Sequence, residues 1–140
     1  IYYVKGEYER ARDYLEQSLR IQQQIGDRKG EGTTLNNLAT TAHAKGDYDR
    51  ALEYLEQSLR IAQQIGDIDG VATCQTNKAV ILYKQKKQTE AAIPLFLEAY
   101  QIFHKIGSPN EKVPLSYLNR IIEEIGEERF QAIIQKLQNP

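Results

Sequence analysis

Three asparagines hold near-equivalent places in this chain. Asn37 lies 11 residues after Gly26, Asn77 lies 11 after Gly66, and Asn119 lies 12 after Gly107. A carboxamide carries one acceptor oxygen and two N–H donors, so it can pair with both the C=O and the N–H of an extended chain without reading its side chains. Thr33, Asn36, Thr40 and His43 accompany the first asparagine at helical spacing, and Thr73 and Thr76 accompany the second. The resulting face is polar and nearly uncharged, which suits a peptide backbone better than a phosphate. Tyr3, His43 and Tyr83 share one register at its far end. They could anchor a ligand by aromatic packing or simply cover a turn. The asparagines in turn could bind a ligand or brace neighbouring helices, and for Asn119, in more divergent sequence, bracing is the preferred reading.

Catalytic chemistry lacks its parts. The sequence shows no Gly-rich phosphate loop, no His or Cys cluster at metal-ligand spacing, and no Ser or Cys nucleophile in a context that suggests an activating base. His104 has no acidic, Cys or His partner at ligand spacing and reads as a surface residue. No enzyme activity, metal or cofactor is expected. Glu123-Glu124 and Glu127-Glu128 read as solvated helix positions.

With 140 residues, 41% hydrophobic and 26% charged, the chain has the composition of one ordinary domain. Eighteen basic and nineteen acidic residues leave a formal charge of −1, so no bulk field draws it to nucleic acid or to an anionic membrane. The single cysteine, Cys74, cannot form an internal disulfide. It reads as a buried thiol, in keeping with a reducing, cytoplasmic setting. No apolar run is long enough to span a bilayer.

The elements that must carry the asparagines follow from an internal copy. Gly6 to Gly30, GEYERARDYLEQSLRIQQQIGDRKG, returns from Gly46 to Gly70 as GDYDRALEYLEQSLRIAQQIGDIDG, 40 residues on. Ala51, Leu55, Ser58, Leu59, Ala62 and Ile65 form one helical stripe, matched by Ala11, Leu15, Ser18, Leu19 and Ile25. Gly26 and Gly66 end these helices where a positive φ is accommodated. A second helix, about Glu31 to Lys45, carries Leu35, Leu38, Ala39 and Ala42, with Ala39 and Ala79 as equivalent close-packing positions. Short turns make each pair an antiparallel hairpin. A third, degraded copy runs from about Lys86 to Gly107, with one extra residue in its turn and no turn glycine. It keeps Ala92, Leu95 or Phe96, Ala99, Tyr100, Ile102 and Ile106, and Pro94 is expected near the start of its helix. After Gly107-Ser108-Pro109-Asn110 come a helix with Pro114 in its first turn and a last segment, Glu127 to Leu137, with Phe130, Ile133, Ile134 and Leu137 inward. The expected organisation is a repeat array over 1–107, its first copy truncated and its third divergent, and capping helices over 108–140. A chain that starts in mid-motif also reads as a piece of a longer protein.

The pattern Gly46, Tyr48, Ala51, Leu59, Ile61, repeated at Gly6, Tyr8, Ala11, Leu19, Ile21, resembles the tetratricopeptide repeat. The 40-residue period with its Ile-Gly-Asp loop is similar to the longer-period repeats of kinesin light chains, cell-polarity adaptors and bacterial multi-repeat proteins. The resemblance implies an all-α, right-handed superhelix whose first helix of each pair lines a concave groove, and partners that are peptides or protein segments. The expected function is a non-catalytic scaffold holding an extended peptide in that groove. Two alternatives stand beside it: a sensor that controls an effector domain of its parent, and self-association through Ile1 to Val4 and Tyr8.

Overall fold

The computed structural model describes residues 5–139, and these are all helix and turn. The chain forms two compact units, Ile1–Cys74 and Gln75–Pro140.

The first unit holds α1 (Lys5–Ile25), α2 (Arg28–Lys45), α3 (Tyr48–Ile65) and the opening turns of α4 (Ile68–Val80). Asp47 caps α3 by accepting the Arg50 N–H at 3.3 Å, and Gly66 ends it at φ 73°, its N–H directed to the carbonyls of Ala62 and Gln63. That φ lies where an L side chain pays about 1–2 kcal/mol, so the glycine is a requirement of the turn. Asp27 caps α2 in the same way through Gly30 N–H at 3.0 Å, and α2 begins at Arg28, a turn earlier than the apolar pattern suggests.

Helix α2 packs on α1 and α3. Leu35, Leu38, Ala39 and Ala42 on α2 and Ala51 and Leu55 on α3 are buried, and each large aliphatic side chain contributes roughly 1.5–3 kcal/mol by leaving water. The expected stripes need correction at their ends and at Ser18, which is exposed where its counterpart Ser58 is buried. Ile61, not Ile65, belongs to this core, and Ile65 and Ile25 are exposed. The buried Glu31 carboxylate is paired with Arg28, whose Nη1 lies 3.2 and 3.1 Å from its two oxygens. Nη2 of Arg28 donates to Gln64, which ties the start of α2 to the end of α3.

The second unit comprises the rest of α4, a π-turn (Ile81–Gln85), α5 (Thr89–Lys105), a short 3-10 turn (Pro109–Glu111), α6 (Lys112–Ile125) and α7 (Glu127–Gln138). The extra residue in the third copy's turn is absorbed here. Lys86 N–H reaches back five residues to the Ile81 carbonyl at 3.1 Å, and Lys87 takes the left-handed conformation, φ 55°, that glycines hold in the other turns. Ala79, Tyr83, Ala92, Ile93, Phe96, Leu118, Ile121 and Phe130 form the core, so Phe96 rather than the half-buried Leu95 takes the core position. The Phe96 ring stacks on Tyr117 at 5.1 Å and 8°. Ile106 and Leu137, expected inward, are exposed, Ile106 just past the end of α5 and Leu137 in the last turn of α7. Pro94 sits inside α5, where it removes one helical donor, and Pro114 lies in the first turn of α6 as expected.

Candidate functional site

On α2 the exposed residues Thr33, Asn37, Thr40 and Ala44 recur every three or four positions and make one stripe. Asn36 and His43 flank it and are half-buried. The threonines are constrained in a way that decides their chemistry. Thr33 Oγ1 donates to the Lys29 carbonyl at 3.2 Å and Thr40 Oγ1 to the Asn36 carbonyl at 3.1 Å. Each hydroxyl therefore spends its hydrogen on its own helix and offers lone pairs outward. Asn37, between them, is the exposed group on this stripe that carries donors. His43 packs its ring on Tyr48 across the hairpin turn, 5.5 Å between centroids, which is turn cover.

Beside this stripe lies a cleft of about 240 Å³ between α2 and the first turns of α4. Thr33 and Asn36 line one wall and Thr73 the other, so three of the residues singled out by spacing meet here. The floor comes from α3, through Ile61, Ala62 and Ile65, with Gly32 on the α2 wall. These floor residues are absent from the sequence expectation, which treated α3 only as packing. The signal was there in Gly32, since a bare backbone on a helix face invites close approach. Within the same lining, Cys74 Sγ donates to Ser58 Oγ at 3.3 Å and Ser58 Oγ to the Gly32 carbonyl at 2.7 Å, joining α4, α3 and α2 in one chain. Burial pushes the Cys74 thiol above its ordinary value, the carboxylates of Asp67 and Glu56 adding to the effect and the Ser58 bond opposing it. The thiol is thus a neutral structural donor rather than a nucleophile.

In the second unit the expected face is broken up. Thr76 and Tyr83 are buried, against the expectation of a groove position, while Asn77 is half-buried and Asn119 exposed. The π-turn explains Tyr83: its extra residue rotates the ring off the register of His43 and into the core, where the hydroxyl donates to Glu124. Burial, then the Glu124 bond and charge, push the Tyr83 phenol up to about 12. Thr76 stands at the edge of a face too wide to be wholly exposed, and it and Asn77 are each engaged in an interaction of their own. Tyr3 and Ile1 to Val4 lie outside the described residues. Tyr8 is half-buried and its hydroxyl donates to the Ala44 carbonyl at 3.0 Å. His104 is exposed but does have an acidic neighbour, Glu111 at 3.0 Å, and stacks on Tyr100.

Helical hairpins in near-identical copies, closed by glycine turns, and a polar stripe on the first helix of a pair frame the comparison with known proteins. A family model for the tetratricopeptide repeat matches residues 1–64 and again 30–105. The chain belongs to the tetratricopeptide repeat family. Comparison with curated proteins and with solved structures returns no match. Tetratricopeptide repeats generally mediate protein–protein interaction. In this repeat chain no group of His, Cys, Asp and Glu among the described residues is placed to hold a metal ion. No helix among them is long and apolar enough to cross a membrane.

Proposed function

We propose that this tetratricopeptide repeat chain is a non-catalytic interaction module that holds an extended segment of a protein partner along the exposed stripe of α2. The observation that carries this reading is the chemistry of Thr33, Asn37 and Thr40. Two acceptors whose hydrogens are already spent flank an exposed carboxamide, beside a cleft with an apolar floor. Such a row meets the alternating N–H and C=O groups of an extended backbone, and the cleft takes a side chain of the bound segment. Peptides selected on the full chain from a random display library test it. They should bind Asn37→Ala about fivefold more weakly, the worth of one lost hydrogen bond. Selected peptides that bind both proteins equally place the contact elsewhere.

A second reading, self-association, has one observation in its favour. Tyr14, Ile21 and Ile25 are exposed on one side of α1, whereas Ile61, the counterpart of Ile21, is buried. Light scattering across a concentration series decides it, since a single monomeric mass throughout rules that reading out.

A further inference from the structure

On the other flank of α2 lies a second pocket, of about 250 Å³, that the stripe does not use. Arg12 of α1, Lys45 of α2 and Arg50 of α3 converge on it. Two carboxylates, Glu9 and Asp47, share the lining and leave one net positive charge. The wall contributed by α2 includes the buried Leu38 and Ala42, and Tyr54 stands opposite on α3.

The cations are poorly satisfied. Arg12 stands 3.6 Å from Asp13 and Arg50 stands 3.8 Å from Asp47. Both distances exceed the roughly 2.7–2.9 Å of a charge-assisted hydrogen bond, so each planar fork keeps its donors for another acceptor. An apolar wall strengthens any charge pair formed against it, and it also accepts methylene groups.

The repeat supplies a control for whether the fold itself needs these charges. Forty residues on, Arg12 becomes Leu52, although the copies are otherwise near-identical over Gly6 to Gly30; Lys45 and Arg50 match Lys5 and Arg10 in the copy before and, past the extra turn residue, Lys86 and Ala91 in the copy after. Arg12 is therefore not a demand of the hairpin. Its presence beside Lys45 and Arg50 sets this pocket apart from the equivalent place in the next copy.

We infer that this pocket binds the carboxylate of an acidic side chain presented by a protein partner. One net positive charge matches a monoanion, and two guanidinium forks from different helices suit a planar, two-oxygen acceptor. The inference rests on the partner being a protein segment, as proposed above, but it does not require contact with Asn37.

The test is an NMR titration of the full 140-residue chain with a short Gly-Ser peptide carrying glutamates and with the same peptide carrying glutamines. The readout is the side-chain Nε–Hε signals of Arg12 and Arg50, assigned with Arg12→Leu and Arg50→Gln. Leucine at position 12 reproduces what the next copy already folds with. The glutamate peptide should move both signals, the glutamine peptide neither, and Arg12→Leu should weaken binding about fivefold. Equal effects of the two peptides, or unchanged affinity in Arg12→Leu, overturn the inference. So does a phosphoserine peptide that binds where the glutamate peptide does not, which would make the pocket a phosphate site. Selected peptides that shift the Asn37 carboxamide but neither arginine leave the α2 reading standing and remove this one; acidic peptides that shift the arginines alone do the reverse.

Discussion

Ser58 on α3 donates a 2.7 Å hydrogen bond to the carbonyl of Gly32 on α2, across 26 residues of sequence. The same hydroxyl accepts from Cys74 of α4, so one buried oxygen joins three helices of the first unit. The Gly32 carbonyl belongs to the same helix as Asn37, and the bond helps fix the helix that carries the stripe. Ser58→Ala leaves the partly buried Gly32 carbonyl without this donor and Cys74 without its acceptor. We expect a loss of about 1–3 kcal/mol in urea unfolding followed by circular dichroism. A change below about 0.5 kcal/mol would mean that water or a small rearrangement replaces the hydroxyl.

Tyr83 and Glu124 give the second unit a pH dependence whose sign is determined. A tyrosine in the unfolded chain titrates near pH 10, while Tyr83 in the fold is raised to about 12. Between these values the folded state keeps a proton that the unfolded state has lost. The stabilisation is thus complete below about pH 10 and declines as pH rises toward 12, by on the order of 1 kcal/mol per pH unit at most. Tyr83→Phe should flatten that alkaline decline relative to wild type when unfolding midpoints are compared from about pH 9 to about pH 12. An equally steep decline in the variant assigns it to other groups.

Lys87 tests the price of the missing turn glycine. Its φ of 55° costs an L residue about 1–2 kcal/mol, and glycine gives back part of that gain, about 0.4–1 kcal/mol, through its freer unfolded state. Lys87→Gly should raise stability by up to about 1 kcal/mol, visible as a higher thermal midpoint. A lower midpoint would show that the lysine side chain itself holds the turn.

Much of this architecture was legible because the chain compares with itself. Gly66 as a helix stop, and Ala39 and Ala79 as close-packed positions, follow from setting the two copies side by side, and all three stand where that comparison puts them. Tyr83 was not legible. Equivalence by counting assumes a constant rise and rotation per residue, and the π-turn at Ile81–Gln85 breaks both just before the turn. The cleft floor was hidden for a different reason. A periodic stripe says that Ile61 and Ala62 face a neighbour, but not that α2 and α4 part enough to leave space above them. Sequence periodicity locates faces, whereas gaps between faces depend on side-chain volumes that only the packed structure fixes.

The sharpest consequence concerns the two asparagines that the repeat makes equivalent. Asn37 is exposed on its stripe, whereas Asn77 is half-buried and already engaged. Identical places in the copies therefore stand in different surroundings. Asn37→Ala should leave stability within about 0.5 kcal/mol of wild type and weaken binding of selected peptides. Asn77→Ala should cost about 1 kcal/mol of stability, the order of one hydrogen bond lost at a half-buried position. Measured together by urea unfolding and peptide affinity, the two variants should separate along perpendicular axes. If Asn37→Ala destabilises while Asn77→Ala alone loses peptide, the assignment of ligand contact to α2 is wrong and the equivalent face of α4 takes its place.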